Sequence, residues 1–427
     1  MISFIGSVGR VLQGTAVAQV IGILVLPLLS RLYPPAAFGH LQFFSTTLSL
    51  ALVAVTLRYE VAILQAPTQN DAQALVRLCL WINVATAMLS AIVCFVLLAF
   101  FGPWGVGTRT VLWLLTPGIA LAGLLQTLGY LPLRLKDFRA GAGAKVLQAV
   151  AYATLALCAG LVLPSAVGLT VADLGARGVA AALIWWWCAR HGVSLSGLVA
   201  PGALKAAAWA HREMPRYAVP GGIINTAGGV LTPIMMYAAF DASTLGQYSL
   251  VERSLMLPVG MVAVAVSQVF SADLSAHLRS GSGAANQSFR RVVVSMAQIG
   301  LVPAVVVGFA SPWLFPRLFG AQWAAAGEYA QLLAPLLFAS FVTAPVNMAI
   351  MLAGRQKIQM AWEVCRLLTI AAAWGAVSVW HLGPHIAIAL HVASGVCMCL
   401  LYLAMADRVL AKTNPAQPLR DHTDKEN

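Results

Sequence analysis

The chain has 427 residues, of which 60% are hydrophobic and only 9% charged, and its mean hydropathy is +0.83. A water-soluble domain carries about 25% charged residues, so this composition excludes one and describes an integral membrane protein. The formal charge of +12 does not signal nucleic-acid binding, because the basic residues are scattered between apolar segments rather than gathered on one solvated face.

Apolar runs of about 20 residues, enough helix to cross about 30 Å of hydrocarbon, recur throughout. The short alternating segments of a membrane β-barrel are absent. The expected fold is an all-α polytopic bundle with spans near residues 9–30, 39–64, 75–101, 110–131, 146–164, 170–189, 217–239, 247–271, 292–311, 329–352, 359–380 and 385–405. The first run, Val11 to Leu29, reads as a span and not as a cleaved leader, since Arg10 comes late and Pro27 interrupts it before any small-residue cleavage site. The second ends in LRYEVAILQ, which places Arg58 and Glu60 inside an apolar run. On a continuous helix those two point about 200° apart and face different surroundings.

Further along, Asp173 and Arg177 are spaced i,i+4 and Glu363 and Arg366 i,i+3, spacings that close structural ion pairs within one helix. Trp185, Trp186 and Trp187 sit where a helix meets the headgroups, as an interfacial belt or, alternatively, a stacking platform for sugar rings. The basic stretch 190–216 is expected to be a cytoplasmic linker, either a surface helix with Leu204, Trp209 and Met214 on its apolar side or a plain connecting loop. Glu252 adjoins Arg253 but points about 100° away, either balancing the arginine or carrying a coupling proton. His381, His385 and His391 show no metal-site spacing and read as interfacial or packing residues. The seven cysteines form no CxxC pair and read as small hydrophobes. Residues 406–427 are expected to form a disordered tail.

An even number of spans puts both termini on one side. The loops on that side hold Arg134, Lys136, Arg139, Lys145, Arg190, Lys205, Arg212, Arg216, Arg279, Arg290, Arg291, Arg355 and Lys357, and the tail is basic as well. The opposite loops hold Arg31, Arg109 and Arg317, so both termini are expected in the cytoplasm. A weak internal repeat lays Gly14, Phe38 and Gly39 onto Gly221, Leu245 and Gly246. It also lays Phe101, Gly102, Leu114, Leu115 and Pro117 onto Phe319, Gly320, Leu332, Leu333 and Pro335. Two six-helix halves, 1–189 and 217–405, are therefore expected, related by a pseudo-twofold along the membrane normal with the substrate path between them.

GTAVAQVIGILVLPLLSRLYPPAAFG, LRYEVAILQ, and GQYSLVERSLMLPVGMVAVAVSQVF followed by FGAQWAAAGEYAQLLAP resemble the bacterial oligosaccharide flippases of O-antigen, capsule and exopolysaccharide synthesis. These belong to the MATE-like superfamily of multidrug, oligosaccharidyl-lipid and polysaccharide transporters. The resemblance implies a multi-pass inner-membrane transporter that turns an undecaprenyl-diphosphate-linked oligosaccharide from the cytoplasmic to the periplasmic leaflet by alternating access. It also implies polysaccharide polymerase and export proteins as partners, no cofactor, and H+ or Na+ gradients or substrate flux as the energy source. Two departures are expected: the two additional C-terminal helices of the lipid II flippases are not among the expected spans, and where drug exporters often carry an acidic residue in the first helix this span offers only Gln13, Thr15 and Gln19 instead.

A diphosphate crossing hydrocarbon needs cations or water around it, and under the resemblance Arg58, Arg253 and Arg31 are the candidates to supply them. Glu60 is expected to pair with a basic residue of a neighbouring helix and hold the second span in place; the alternatives are that Arg58 snorkels to the headgroups and that Arg31 is an interfacial anchor. An exporter of cationic small molecules would favour acidic cavity residues instead. A membrane-embedded polymerase or ligase would need a long external loop or an acidic catalytic motif. The sequence offers neither, nor a P-loop, and a transporter rather than an enzyme is expected.

Overall fold

Backbone polar groups in hydrocarbon must be satisfied within their own segment, and the chain meets this demand with helices. The computed structural model describes residues 2–100, 105–191, 201–280 and 283–412, and every regular element among them is helical. Among the described residues, eleven helical stretches are long and apolar enough to cross a membrane. The protein is an all-α, multi-pass membrane protein.

The chain divides into two compact units, Met1–Ser249 with Leu318–Gln322, and Leu250–Arg317 with Trp323–Asn427. The first contains α1 (Ile2–Leu32), α2 (Pro35–Leu52), the short α3 (Tyr59–Ala62), α4 (Gln69–Phe100), α5 (Val106–Arg134), α6 (Phe138–Val162), α7 (Ala166–Arg190), α8 (Pro201–Ala210) and α9 (Val219–Ala239). It also takes most of α10 (Ala242–Val251), inside which the chain passes to the second unit. The second unit continues through a π-helical turn, Glu252–Met256, into α11 (Leu257–Ser280), then α12 (Ala285–Phe319), α13 (Ala324–Thr343), α14 (Ala349–Leu352), α15 (Gln356–Val379) and α16 (Pro384–Lys412).

Ten of the expected spans are helical throughout their described length or nearly so, the seventh opening on and the eighth passing through a π-helical turn, and several reach further into the polar margins than their apolar windows. The second, 39–64, is not continuous. It stops at Leu52, turns through Val53 to Arg58 and resumes for one turn as α3. The tenth is interrupted by a 3-10 turn, Ala344–Val346, where Pro345 lacks an amide to donate. Tyr402 answers that interruption, its hydroxyl donating to Val346 O at 3.1 Å.

In the first unit the core gathers Tyr59, Ile63, Leu75, Cys79, Leu128, Ile184, Trp187 and Cys188 from α3, α4, α5 and α7. In the second it gathers Phe270, Leu274, Phe289, Ile350, Trp362 and Tyr402. The tryptophan tract is split by this packing. Trp185 and Trp186 are exposed, with Arg190 lying 4.1 Å over the Trp186 ring, while Trp187 turns inward and donates to Asp137 Oδ2 at 2.9 Å. Within the linker, α8 is helical and docks on the core through Ala207 and Ala208, and Tyr59 Oη donates to Ala208 O at 3.2 Å. Residues 406–412, expected in a disordered tail, continue α16, because Ala406 and Leu410 are buried in the second core. Residues 192–200 of the linker, Phe101 and Gly102 of the repeat, and the tail beyond Lys412 lie outside the described residues.

Gly39 of α2 and Gly246 of α10, matched by the internal repeat, lie against each other within the first unit. A Cβ on Gly39 would stand 1.7 Å from Ala242 O, and one on Gly246 1.8 Å from Pro35 O. Backbone carbonyls do not yield as side-chain tips do. Gly39→Ala is expected to lower stability by about 1–3 kcal/mol, read as a lower midpoint of thermal unfolding in detergent. Gly22→Ala, where a Cβ meets open space, is expected to leave the midpoint unchanged.

Candidate functional site

The break between α2 and α3 carries the two charges that the sequence singles out. Leu57 and Arg58 adopt left-handed backbone, with φ of 51° and 65°. For a residue with a Cβ that conformation costs about 1–2 kcal/mol, so neighbouring groups must hold it. Short-range bonds of the i to i−3 type replace the α-helical ladder: Val53 N to Leu50 O, Ala54 N to Ala51 O, Leu57 N to Ala54 O and Tyr59 N to Thr56 O, all between 3.0 and 3.3 Å. Other helices satisfy the carbonyls left over. Thr86 of α4 donates to Val55 O at 3.1 Å. Arg134, at the end of α5, donates to Ile63 O at 2.7 Å and to Thr68 O at 3.2 Å.

Glu60 is fully buried at the centre of this arrangement. It does not pair with a basic residue of a neighbouring helix, as the sequence suggested. Its carboxylate accepts from the hydroxyl of Thr56, one turn earlier, and from Gln126 Nε2 of α5 at 2.8 Å. Two neutral donors satisfy it without burying a second charge, which would carry its own desolvation cost.

Arg58 points elsewhere. It is half-buried, its Nε is buried with no hydrogen-bond acceptor, and no ion pair among the described residues includes it. Its guanidinium lies on the backbone of Gly222 in α9, where a Cβ would come within 2.6 Å of Nη2. Tyr130 of α5 is within electrostatic reach of both Arg58 and Glu60. The site therefore presents a guanidinium that no carboxylate among the described residues pairs with, on a turn held by hydrogen bonds from other helices. Its planar donors suit a phosphate oxyanion.

The other sequence-selected residues fall in different places. Arg31 is exposed and its Nη2 reaches Leu318 O at 3.5 Å. Glu252 and Arg253 share the π turn of the second unit and interact electrostatically. Asp173 and Arg177 meet at 2.7 Å and 3.4 Å through two oxygens. Glu363 and Arg366 do not meet. Glu363 accepts from Gln359 Nε2 at 3.4 Å, while the Arg366 guanidinium lies 5.3 Å from the centroid of the Trp362 ring. His385 bonds to Glu328 at 2.8 Å, and no group of three metal-ligating side chains occurs among the described residues.

Sequence reasoning missed Gln126, Thr86 and Arg134 as supports of the break. It also missed a polar cluster near the start of α2, in which Tyr237 of α9 bonds to His40 Nδ1 at 2.9 Å and to Thr108 of α5 at 2.7 Å. Polar residues inside apolar runs were the available signal, but nothing local tells which of them meet.

A family model described as "Polysaccharide biosynthesis protein" matches residues 28–328. The chain belongs to this polysaccharide biosynthesis family. No curated protein sequence matches it. Among solved structures, it is similar to the lipid II flippase MurJ in an inward closed conformation, with a TM-score of 0.69, 12% identity, and coverage of 92% of this chain and 86% of that one. It is also similar to an inward-facing MATE multidrug transporter of the MOP superfamily, with a TM-score of 0.63, 14% identity and coverage of 94% and 95%. At these identities the likeness concerns the fold, which this family member shares with both.

If Glu60 holds the break through Thr56 and Gln126, Glu60→Leu leaves two buried donors unpaired, at about 1–3 kcal/mol each. The expected result is a clear fall in the thermal midpoint. Adding Gln126→Leu to Glu60→Leu is expected to recover part of it, because one orphaned donor is then gone. A double-mutant cycle on the purified protein measures the coupling.

Proposed function

We propose that this protein is a flippase for lipid-linked oligosaccharide, moving an undecaprenyl-diphosphate-linked sugar chain from the cytoplasmic to the periplasmic leaflet for surface polysaccharide synthesis. Membership of a polysaccharide biosynthesis family and a fold shared with a lipid II flippase support the reading. The observation that carries it is Arg58, a cation on a strained turn, partly buried, with no carboxylate paired to it among the described residues. Such a group replaces part of the hydration that a diphosphate loses on leaving water.

In this reading both termini face the cytoplasm, as the distribution of basic loops favours, and Arg58 receives the diphosphate near the cytoplasmic side. Arg253 and Arg31 serve as further phosphate contacts. Energy comes from an H+ or Na+ gradient or from substrate flux. Polymerase and export proteins take the product onward. An exporter of small cations shares the fold, but an unneutralised guanidinium on the broken helix would repel such a substrate.

The test is surface polysaccharide in a flippase-null strain, read beside the membrane abundance of each variant. Arg58→Ala is expected to reduce polysaccharide at least tenfold at normal abundance. Arg58→Lys, which keeps the charge and loses the planar fork, is expected to retain an intermediate level. Near-normal polysaccharide from Arg58→Ala would leave Arg58 as a headgroup anchor only.

A further inference from the structure

The face of α15 that turns inward is a row of buried side chains, Trp362, Ile370, Trp374 and Val377. Arg366 falls on the same row, one helical turn from both Trp362 and Ile370. It stands near the midpoint of α15, about 15 Å along the axis from the helix start at 1.5 Å per residue. A guanidinium is thus held deep in a membrane-spanning helix and turned toward the interior of its unit.

Arg177 offers a comparison within the same chain. It lies near the middle of α7, and the carboxylate of Asp173 neutralises it at 2.7 Å. Arg366 has an acid three residues before it, but Glu363 is engaged by Gln359. Arg366 Nε is buried with no acceptor, and no ion pair among the described residues reaches it. The guanidinium lies by the Trp362 ring, 5.3 Å from centroid to Cζ, and within electrostatic reach of Cys399 on α16. Trp362 is itself fixed, since its Nε1 donates to Met398 O at 3.0 Å. An aromatic neighbour of this kind positions the cation without consuming its hydrogen-bond donors. A deep charge that lacks a counter-ion works against folding and insertion, and arginines so placed in membrane proteins mark ligand pathways.

We propose that Arg366 is an anion-binding residue of the second unit, which takes phosphate oxygens of the lipid-linked substrate. This rests on the flippase reading and adds a station to it, in the middle of a membrane-spanning helix of the second unit. The guanidinium supplies the paired donors, and Trp362 sets its orientation.

The test uses the full-length protein in nanodiscs and measures binding of farnesyl diphosphate, with farnesol as the matched probe lacking the head group. The expected result is diphosphate-dependent binding that Arg366→Met weakens at least tenfold and Arg366→Lys restores in part. The thermal midpoint of Arg366→Met should be unchanged or raised, while that of Arg177→Met should fall. Wild-type affinity in Arg366→Met, or a lowered midpoint with affinity intact, would make Arg366 a structural cation and overturn the proposal. Displacement of the probe by a rising fraction of phosphatidylglycerol would overturn it in favour of a bulk lipid headgroup. Arg58→Ala is measured in parallel. Binding lost in Arg58→Ala but kept in Arg366→Met removes this station and leaves the flippase reading, whereas binding kept in both removes the two together.

Discussion

A carboxylate with no exposed surface, Glu60, is the constraint on which the first unit's chemistry depends. Removing a carboxylate from water is tolerable only when its oxygens find donors. Here they come from Thr56 on the same turn and Gln126 on α5. The bond from Gln126 ties the interrupted end of the second span to the fourth. Once tied, the chain cannot relax into a continuous helix without stripping Glu60 of its partners. The left-handed backbone at Leu57 and Arg58 persists on that account, and so does the direction in which Arg58 leaves the turn. The position of the candidate cation therefore depends on a buried acid that does not pair with it.

The helical, multi-pass character of the chain was legible in the sequence because hydrophobicity over about 20 residues is a property of each segment alone. The break was not. No glycine or proline lies between Leu50 and Gln65, so local rules had no reason to stop the helix. What stops it are Thr86, Gln126 and Arg134, residues that are distant in sequence. Arg134 read as one more basic residue of a cytoplasmic loop, yet it terminates α3 from a neighbouring helix. The candidate cation itself was legible, as Arg58 is conspicuous in an apolar run, but its separation from Glu60 came from a left-handed turn and not from helical phase.

The two intrahelical pairs make the same point more finely. Spacing permits both, and Asp173 with Arg177 closes in the favourable i,i+4 order with the acid first. Glu363 and Arg366 are near enough in sequence, but each has an i,i+4 neighbour on its own helical row, Gln359 for the acid and Trp362 for the base. A spacing rule counts what a pair could do. The rows on the helix surface decide which partner each member takes.

The polar cluster at the start of α2 bears on how the first unit moves. α2 meets α9 through His40 and Tyr237 near one end and, past the break, through Arg58 on Gly222 near the other. Along α9 the contact points are about 22 Å apart at 1.5 Å per residue. A slide of one helix past the other by a single turn would break the bond between Tyr237 and His40 and drive the Arg58 head off its glycine at the same moment. Register between these helices is therefore fixed twice, like a rail bolted at both ends. Sliding of one helix along the other is opposed at both contacts.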